Sequence, residues 1–131
     1  MKIVILDSRA LNPGDMSYDI INQFGDVTLY QHTDSQEEAI ARIADSQIVL
    51  TNKVPITRQI LETCPNIQLI CVLATGYNIV DVDACKEKGI PVCNVPSYGT
   101  AAVAQFTLAL MLEICHRIGH HDRVVHEGKW C

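Results

Sequence analysis

Apolar runs alternate with helix-like segments at a regular interval along the first hundred residues of this chain. Strand-length apolar runs lie at residues 2–8, 27–32, 47–52, 67–75 and 90–96. The first, third and fourth runs are rich in Ile, Val and Leu without polar alternation, which is typical of parallel strands covered on both faces. The pattern predicts an α/β domain, in which right-handed crossovers join five parallel strands into a doubly wound sheet.

Helical patterns fill the intervals between the runs, at residues 15–24, 35–46, 57–64 and 81–88. Ser35 and Glu38 have the spacing of a capping box, and Gly89 stands where a helix commonly ends. Five units of this length favour the flavodoxin-like strand order 2-1-3-4-5, and ligands of such sheets bind at the carboxyl ends of the strands. In this chain those ends are residues 7–8, 51–53, 74–78 and 94–98.

A different pattern begins at Thr100. From there to Gly128 the sequence predicts one long C-terminal helix, and residues 101–112 are apolar almost all round, interrupted by Gln105 and Thr107. Such a helix is expected to be buried on every side.

Length and composition limit the classes of partner. The chain has 131 residues, 48% of them apolar, which suits one folded globular domain. Its net charge of −5 comes without a basic stripe, so no nucleic-acid partner is expected. The longest apolar runs are broken within about a dozen residues, too short to cross a bilayer, and the N-terminus lacks the pattern of a signal peptide. We expect no membrane partner and a cytoplasmic location.

Six cysteines, at positions 64, 71, 85, 93, 115 and 131, form no C-x-x-C pair. Several of them lie inside apolar runs, so we expect buried free thiols that behave as small hydrophobic side chains. Free thiols fit a reducing compartment.

Three common functions of this fold require residues that this sequence does not have. A phosphoacceptor receiver needs a carboxylate at the end of the third strand, where this chain has Thr51-Asn52-Lys53. A flavodoxin needs a Ser/Thr/Gly-rich phosphate loop after the first strand, and residues 7–15 are a poor version of one. Dinucleotide binding needs G-x-G-x-x-G, a spacing that the seven glycines never take. No cofactor is therefore expected in this chain alone.

The histidines near the C-terminus raise the question of a metal or catalytic site. His116 and His120 are one helical turn apart, which is a possible metal-ligand spacing. No Glu stands in H-E-x-x-H register, however, and the polar end of a helix is an ordinary place for His. Cys115 and His116 are adjacent, so they point in different directions on a helix and make a poor nucleophile–base pair. Neither a metal ligand nor a catalytic residue is assigned.

The strand-end loops are the remaining candidate. They combine backbone N–H donors with Asn52, Lys53 and Tyr98. Lys53 supplies positive charge and Gly76 permits close approach of a ligand to the backbone, a combination that suits a small carboxylate or hydroxy acid. The residues alone leave a second interpretation open, in which Gly76 only permits a turn and Lys53 is solvated.

The segment ATGYNIVDVDACKEKGIPVCNVPSYGTAAVAQFTLALML, residues 74–112, resembles the central part of the D-isomer-specific 2-hydroxyacid dehydrogenases. Its G-x-N-x-V-D-like loop, its GIPVCNVPSYGT strand exit and the helix that follows occur in the family's order and spacing. VLTNKVPIT, at residues 49–57, most resembles the branch of glycerate dehydrogenase (hydroxypyruvate reductase). The resemblance covers essentially the whole chain and is specific over its central third.

The resemblance implies a division of the chain. Residues 1–99 would be the N-terminal part of a flavodoxin-like substrate domain, and residues 100–131 a crossing helix that leads to a Rossmann domain absent from this chain. The Rossmann domain would bind NAD or NADP. A homodimer through the helix at residues 100–118 is also implied.

The same resemblance implies roles for single residues. The backbone of Thr75, Gly76 and Tyr77 would hold the substrate carboxylate. Asn52, Lys53 and Tyr98 would line the same cleft, and Val103 would approach the nicotinamide.

The sequence departs from the family in two respects. Gln105 stands where the family usually has Glu, and the family's catalytic Arg, Glu and His lie beyond a Rossmann fingerprint that these residues do not include. We therefore expect an inactive fragment of an oxidoreductase that transfers hydride between NAD(P) and a small D-2-hydroxy acid or 2-keto acid, with glycerate and hydroxypyruvate favoured. The alternative is a stand-alone flavodoxin-like module that binds a ligand or a partner without catalysis.

Overall fold

A computed structural model describes residues 1–12 and 14–129. The chain divides into two compact units, the first spanning Met1–Pro96 and the second beginning at Ser97.

The first unit is built on a five-stranded parallel sheet. Its strands are β1 (Lys2–Ile5), β2 (Asp26–Leu29), β3 (Ile48–Thr51), β4 (Leu69–Val72) and β5 (Val92–Cys93). Their order is β2-β1-β3-β4-β5 and every pairing is parallel. The predicted fold class and strand order are confirmed. The strands are shorter than the apolar runs, because the residues that end each run belong to the loops at the carboxyl edge.

Four helices connect the strands: α1 (Asp19–Asn22), α2 (Gln36–Ile43), α3 (Arg58–Thr63) and α4 (Val82–Glu87). Ser35, Thr57 and Asp81 cap the last three, and each side chain accepts a hydrogen bond from the backbone N–H three residues on. Such caps satisfy N–H groups that a helix leaves unpaired. The predicted first helix, residues 15–24, is reduced to the single turn of α1. The N–H groups of Gly14 and Met16 donate instead to the Asn12 side-chain oxygen, which holds this segment in a loop.

The two faces of the sheet are covered unequally. One face carries the main apolar core, where buried strand residues such as Val4, Val49 and Ile70 pack with Ile43 and Leu61 of the helices. The other face has a smaller buried cluster of three residues, Ile3, Ile5 and Leu50. Half-buried side chains, Cys71 and Leu73 among them, surround that cluster.

The second unit contains α5 (Thr100–His116) and α6 (Ile118–His126). The long helix is present, but it does not continue to Gly128 as predicted. It ends before Arg117, which takes the left-handed conformation with φ 48° and ψ 48°. The break is stabilised by Glu113, whose carboxylate accepts a hydrogen bond of 3.0 Å from the N–H of Gly119.

The expected burial of the long helix is not observed in this chain, because every residue of α5 is exposed. Within the described residues, no single helix is long and apolar enough to cross a membrane, although α5 and α6 together reach that length and composition across a bend of 63°.

Candidate functional site

The loop after β3 is held in place by Asp7, which follows β1. The buried Asp7 carboxylate accepts hydrogen bonds from the N–H of Asn52, at 2.9 and 3.1 Å, and from the N–H of Lys53, at 2.5 Å. Asn52 is itself buried, whereas the Lys53 side chain is exposed. Because β1 and β3 are neighbours in the sheet, a residue 46 positions before Lys53 sets the backbone from which Lys53 projects.

The loop after β4 presents unused backbone donors. Thr75, Gly76, Tyr77 and Asn78 are all exposed. In the described part of the chain, no group accepts a hydrogen bond from the backbone N–H of any of these four residues. Unpaired N–H groups at the carboxyl edge of a parallel sheet can donate to an anion.

Hydrogen bonds join the start of this loop to the segment after β5. The Asn94 side chain donates a 2.8 Å hydrogen bond to the carbonyl of Thr75, and the Thr75 hydroxyl donates one of 3.0 Å to the carbonyl of Val95. The N–H of Val95 in turn donates to the carbonyl of Ala74 at 3.0 Å. These bonds occupy the carbonyls of Ala74 and Thr75 and join the loop to the segment after β5.

The β3 and β4 loops are also joined to each other. Ile56 and Val80 form an isolated parallel bridge beyond the ends of the two strands. The N–H of Ile56 donates to the carbonyl of Ile79, and the N–H of Asp81 donates to the carbonyl of Ile56, both at 2.9 Å. Because both bridge residues are buried, the loop that bears Asn52 has a fixed position beside the loop that begins at Thr75.

Gly76 is the position where a ligand can approach the backbone most closely. Its φ is one that other residues adopt, so no turn requires glycine here. A Cβ atom built on it meets only the Asn78 Oδ1, at 3.3 Å. The absent side chain therefore leaves open space beside the free N–H groups, which favours the ligand interpretation of Gly76 over the turn interpretation.

Lys53 lines a cleft that the sequence did not predict. This cleft of about 320 Å³ lies at the carboxyl ends of the first three strands. It is lined by Asp7, Arg9, Ala10, Gln31, His32, Thr33, Lys53, Val54 and Pro55. A second cleft of about 470 Å³ also includes Arg9 and contains none of the predicted substrate residues. Sequence reasoning missed Asp7 as an anchor and Arg9 as a second cation, although the end of the first strand was noted as a ligand edge.

Five of the seven predicted site residues lie in the first unit, on the loops that follow the neighbouring strands β3 and β4: Asn52, Lys53, Thr75, Gly76 and Tyr77. Tyr98 and Val103 lie in the second unit, where their side chains are 70% and 67% exposed. The roles of all seven residues stay predictions.

The sequence predicted buried free thiols, and only some of the cysteines are buried. Cys64 and Cys85 are buried and Cys71 is half-buried, but Cys93 and Cys115 are exposed. Burial raises the pKa of the Cys71 thiol, and the neighbouring Cys93 raises it further. All five are free, and in the described residues no group of three His, Cys, Asp or Glu side chains could hold a metal ion.

The site can bind an anion but does not fit a dinucleotide. Its backbone donors and Lys53 match one small carboxylate, whereas a pyrophosphate needs a Gly-rich turn between a strand and a helix. In the described part of the sheet, no strand-to-helix turn has that glycine spacing.

Comparison with known proteins supplies the remaining observations. The family model for the D-isomer specific 2-hydroxyacid dehydrogenase, catalytic domain, matches residues 3–122. The chain is 57% identical to a hydroxypyruvate reductase of Blautia hydrogenotrophica, with 99% of this chain and 41% of the relative covered. It is 30% identical to a glycerate dehydrogenase of Methylorubrum extorquens, with 98% and 40% covered.

Solved structures show the same architecture. An acyclic imino acid reductase (Bsp5) in complex with NADPH and D-Arg superposes with a TM-score of 0.79 at 27% identity, over 98% of this chain and 41% of that one. The chain therefore spans about two fifths of the length of the relatives that it matches.

Proposed function

The chain belongs to the D-isomer-specific 2-hydroxyacid dehydrogenase family, and from this premise we propose that it is the substrate-binding part of an NAD(P)-dependent oxidoreductase. The whole protein would transfer hydride between the nicotinamide and a small D-2-hydroxy acid or 2-keto acid. Glycerate and hydroxypyruvate are the favoured pair. The observation that carries the proposal is the set of free N–H groups at Thr75, Gly76 and Tyr77, beside the loop of Asn52 and Lys53.

In this proposal the loop binds the carboxylate of the substrate. The N–H groups of residues 75–77 donate to its oxygens, and the open space at Gly76 lets the ligand reach them. Lys53 adds a positive charge at the same edge, and Asn52 shapes the wall beneath it. Tyr98 would line the cleft and Val103 would approach the nicotinamide.

The cofactor would be held elsewhere in the protein. The family's chemistry uses a nicotinamide as hydride carrier, but the glycines of this chain never take the dinucleotide spacing. The proposal therefore assigns the cofactor site, and the groups that move the proton, to parts of the relatives that these 131 residues do not span. The role of this chain is to bind and orient the substrate.

We also propose a cellular location and an oligomeric state for the whole protein. Free thiols at Cys64, Cys71 and Cys85 are consistent with a cytoplasmic location. The exposed apolar surface of α5 supports a homodimer through residues 100–118.

A second function from a different class is a stand-alone binding module without catalysis. The free N–H groups of the Thr75 loop would serve such a module equally well. Sequencing the gene downstream of codon 131 separates the two: a G-x-G-x-x-G within a few tens of codons supports the dehydrogenase. An in-frame stop codon would support the module.

Ligand binding by this chain can be tested by NMR titration with hydroxypyruvate and D-glycerate. We expect shifts at the backbone amides of residues 75–78 and weak affinity, because the described site offers one lysine and a few backbone donors. Millimolar dissociation corresponds to about −4 kcal/mol. The methyl ester of glycerate, which lacks the carboxylate charge, is the matched control and should leave these amides unshifted.

The variant Gly76→Ala separates binding from folding. The added Cβ meets only the movable Asn78 side chain, so the variant should fold normally while its affinity for hydroxypyruvate falls several-fold. Unchanged affinity, or shifts confined to other parts of the chain, would remove the Thr75 loop as the carboxylate site.

A further inference from the structure

Two cysteines lie opposite each other on the neighbouring strands β4 and β5, and β4 leads into the Thr75 loop. Cys71 of β4 and Cys93 of β5 are register partners in the parallel pairing. Neighbouring strands lie about 4.8 Å apart and register partners point to the same face of the sheet. The Cα atoms of disulfide-linked cysteines are about 4.4–6.8 Å apart. The pair therefore has the Cα spacing of a disulfide, and both side chains lie on the same face of the sheet.

The pair is accessible from one side. Cys93 is exposed and Cys71 is half-buried, whereas Cys64 and Cys85 are buried in the core on the opposite face of the sheet. An incoming reagent therefore meets Cys93 first, with Cys71 beside it on the neighbouring strand.

The strand that carries Cys93 can adjust its position. β5 has two residues and is an edge strand, hydrogen-bonded to β4 alone. Disulfide closure needs the two Cβ atoms about 3.5–4.5 Å apart, so it draws the two strands slightly together. A short edge strand permits this movement more easily than a central strand would.

We infer that Cys71 and Cys93 form a redox-active thiol pair, which a low-molecular-weight disulfide oxidises to an intrachain disulfide. The Cys93 thiolate attacks one sulfur of the reagent, forms a mixed disulfide and releases one thiolate. The Cys71 thiolate then attacks the Cys93 sulfur and releases the second thiolate. The two protein thiols are oxidised, the reagent is reduced to two thiols, and the protons of the cysteines pass to the released thiolates.

Oxidation would act directly on the proposed substrate loop. Asn94 and Val95 follow Cys93 at once and make all three hydrogen bonds that fasten Ala74 and Thr75. A shift of β5 therefore moves the anchor of the free N–H groups. Only this consequence rests on the proposed function; formation of the disulfide does not depend on it.

The test uses the 131-residue chain with Cys115 and Cys131 replaced by serine, which removes the exposed thiol of α5 and the cysteine outside the described residues. After treatment with oxidised glutathione, tandem mass spectrometry should find a peptide that links Cys71 to Cys93. In the same background, Cys71→Ser should keep glutathione on Cys93, and Cys93→Ser should form neither product. An unreactive protein, or a glutathione adduct on Cys93 that never resolves with Cys71 present, would overturn the inference.

The coupling to the loop has its own measurement. The backbone amides of Thr75 and Gly76 should shift on oxidation and return with dithiothreitol, while the Cys93→Ser variant shows no shift. A disulfide that forms without moving these amides would overturn the coupling and leave the ligand titration of the loop as an independent result.

Discussion

Asp7 shows how a single buried carboxylate positions one side of the proposed site. It faces little solvent and accepts from two consecutive backbone N–H groups, those of Asn52 and Lys53. In Asp7→Asn one acceptor oxygen remains and an amide NH₂ faces the other donor. We expect the free energy of unfolding to fall by about 1–3 kcal/mol, the usual cost of an unpaired buried polar group, measured by urea denaturation.

The matched control for this prediction is Asp45→Asn. Asp45 also pairs with a distant residue, since it accepts from the Lys2 ammonium at 2.5 Å, but both side chains are exposed. Exposed ion pairs contribute little, so this control should remain close to the parent protein in stability. Equal stability of the two variants would contradict the anchoring role of Asp7.

The thiols give a residue-level prediction about pH. Burial raises the pKa of Cys64 above its ordinary value of 9.0, and burial followed by the charge of Asp81 does the same for Cys85. A raised pKa in the folded state means that the folded chain holds the thiol proton more tightly than the unfolded chain does. The stability that results is present below pH 9 and is lost as the pH rises through the folded pKa values.

We therefore expect the free energy of unfolding to decrease between pH 8.5 and 10.5, a range chosen to span about the ordinary thiol pKa. The double variant Cys64→Ala and Cys85→Ala should be less stable at pH 7 because packing is lost, yet its stability should depend less on pH over this range. The slope, measured by urea denaturation at each pH, is the readout. An identical slope in both proteins would contradict the prediction.

At the scale of elements, α2 depends on its N-cap residue, Ser35. The Ser35 hydroxyl accepts the N–H of Glu38 at 3.1 Å, as the capping-box spacing predicts. The Glu38 carboxylate in turn accepts the N–H of Asp34, at 2.7 Å. Ser35→Ala removes the acceptor and should lower the free energy of unfolding by about 1 kcal/mol. Ser35→Asp keeps an acceptor and should restore stability, as followed by thermal denaturation; equal loss in both variants would show that the cap contributes nothing.

The helices and strands were predictable where short stretches of sequence determine them. The strand order, the Ser35 cap and the end of α4 at Gly89, with φ 69°, follow from periodicity and from residue types with few conformational alternatives. The break at Arg117 was not predicted, because an arginine carries no signal for a left-handed φ. Its stabilisation by Glu113 is a side-chain contact across the bend.

The candidate site likewise has features that the sequence predicts and features that depend on which strands are neighbours. The position of Thr75, Gly76 and Asn52 at the carboxyl edge of the sheet was predictable, because parallel strands place their carboxyl ends at one edge. The anchoring by Asp7 was not, since it requires knowing that β1 and β3 are neighbours. The pairing of Cys71 with Cys93 was hidden for a similar reason, because it depends on the register between β4 and β5.

At the scale of the whole molecule, substrate binding and chemistry are expected to be separable. Under the proposed function the 131 residues bind the substrate, and their glycines never take the dinucleotide spacing. We expect the isolated chain to show no NADH- or NADPH-dependent reduction of hydroxypyruvate, measured by absorbance at saturating cofactor. The full-length protein is the positive control. Turnover by the isolated chain would show that the proposed division of roles is wrong.

The second unit should make the isolated chain self-associate. Every apolar side chain of α5 is exposed, including Phe106, Leu110 and Met111, at 66, 50 and 57%. Full burial of one such side chain is worth about 1.5–3 kcal/mol. Pairing the helix with its copy in a second chain is a direct way to cover this surface, so we expect a dimer or larger species in light scattering at micromolar concentration.

Paired substitutions test whether this helix is the surface responsible. Leu108→Lys with Leu112→Lys places charges one turn apart on one side of α5 and should return the protein to a monomer. Gln105→Lys is the control at a position that is already polar, and it should leave the association unchanged. Because α5 belongs to the second unit, neither change should alter the NMR spectrum of the sheet. A parent chain that scatters as a monomer of 14.5 kDa would contradict the argument, since the apolar surface of α5 would then be stable in water.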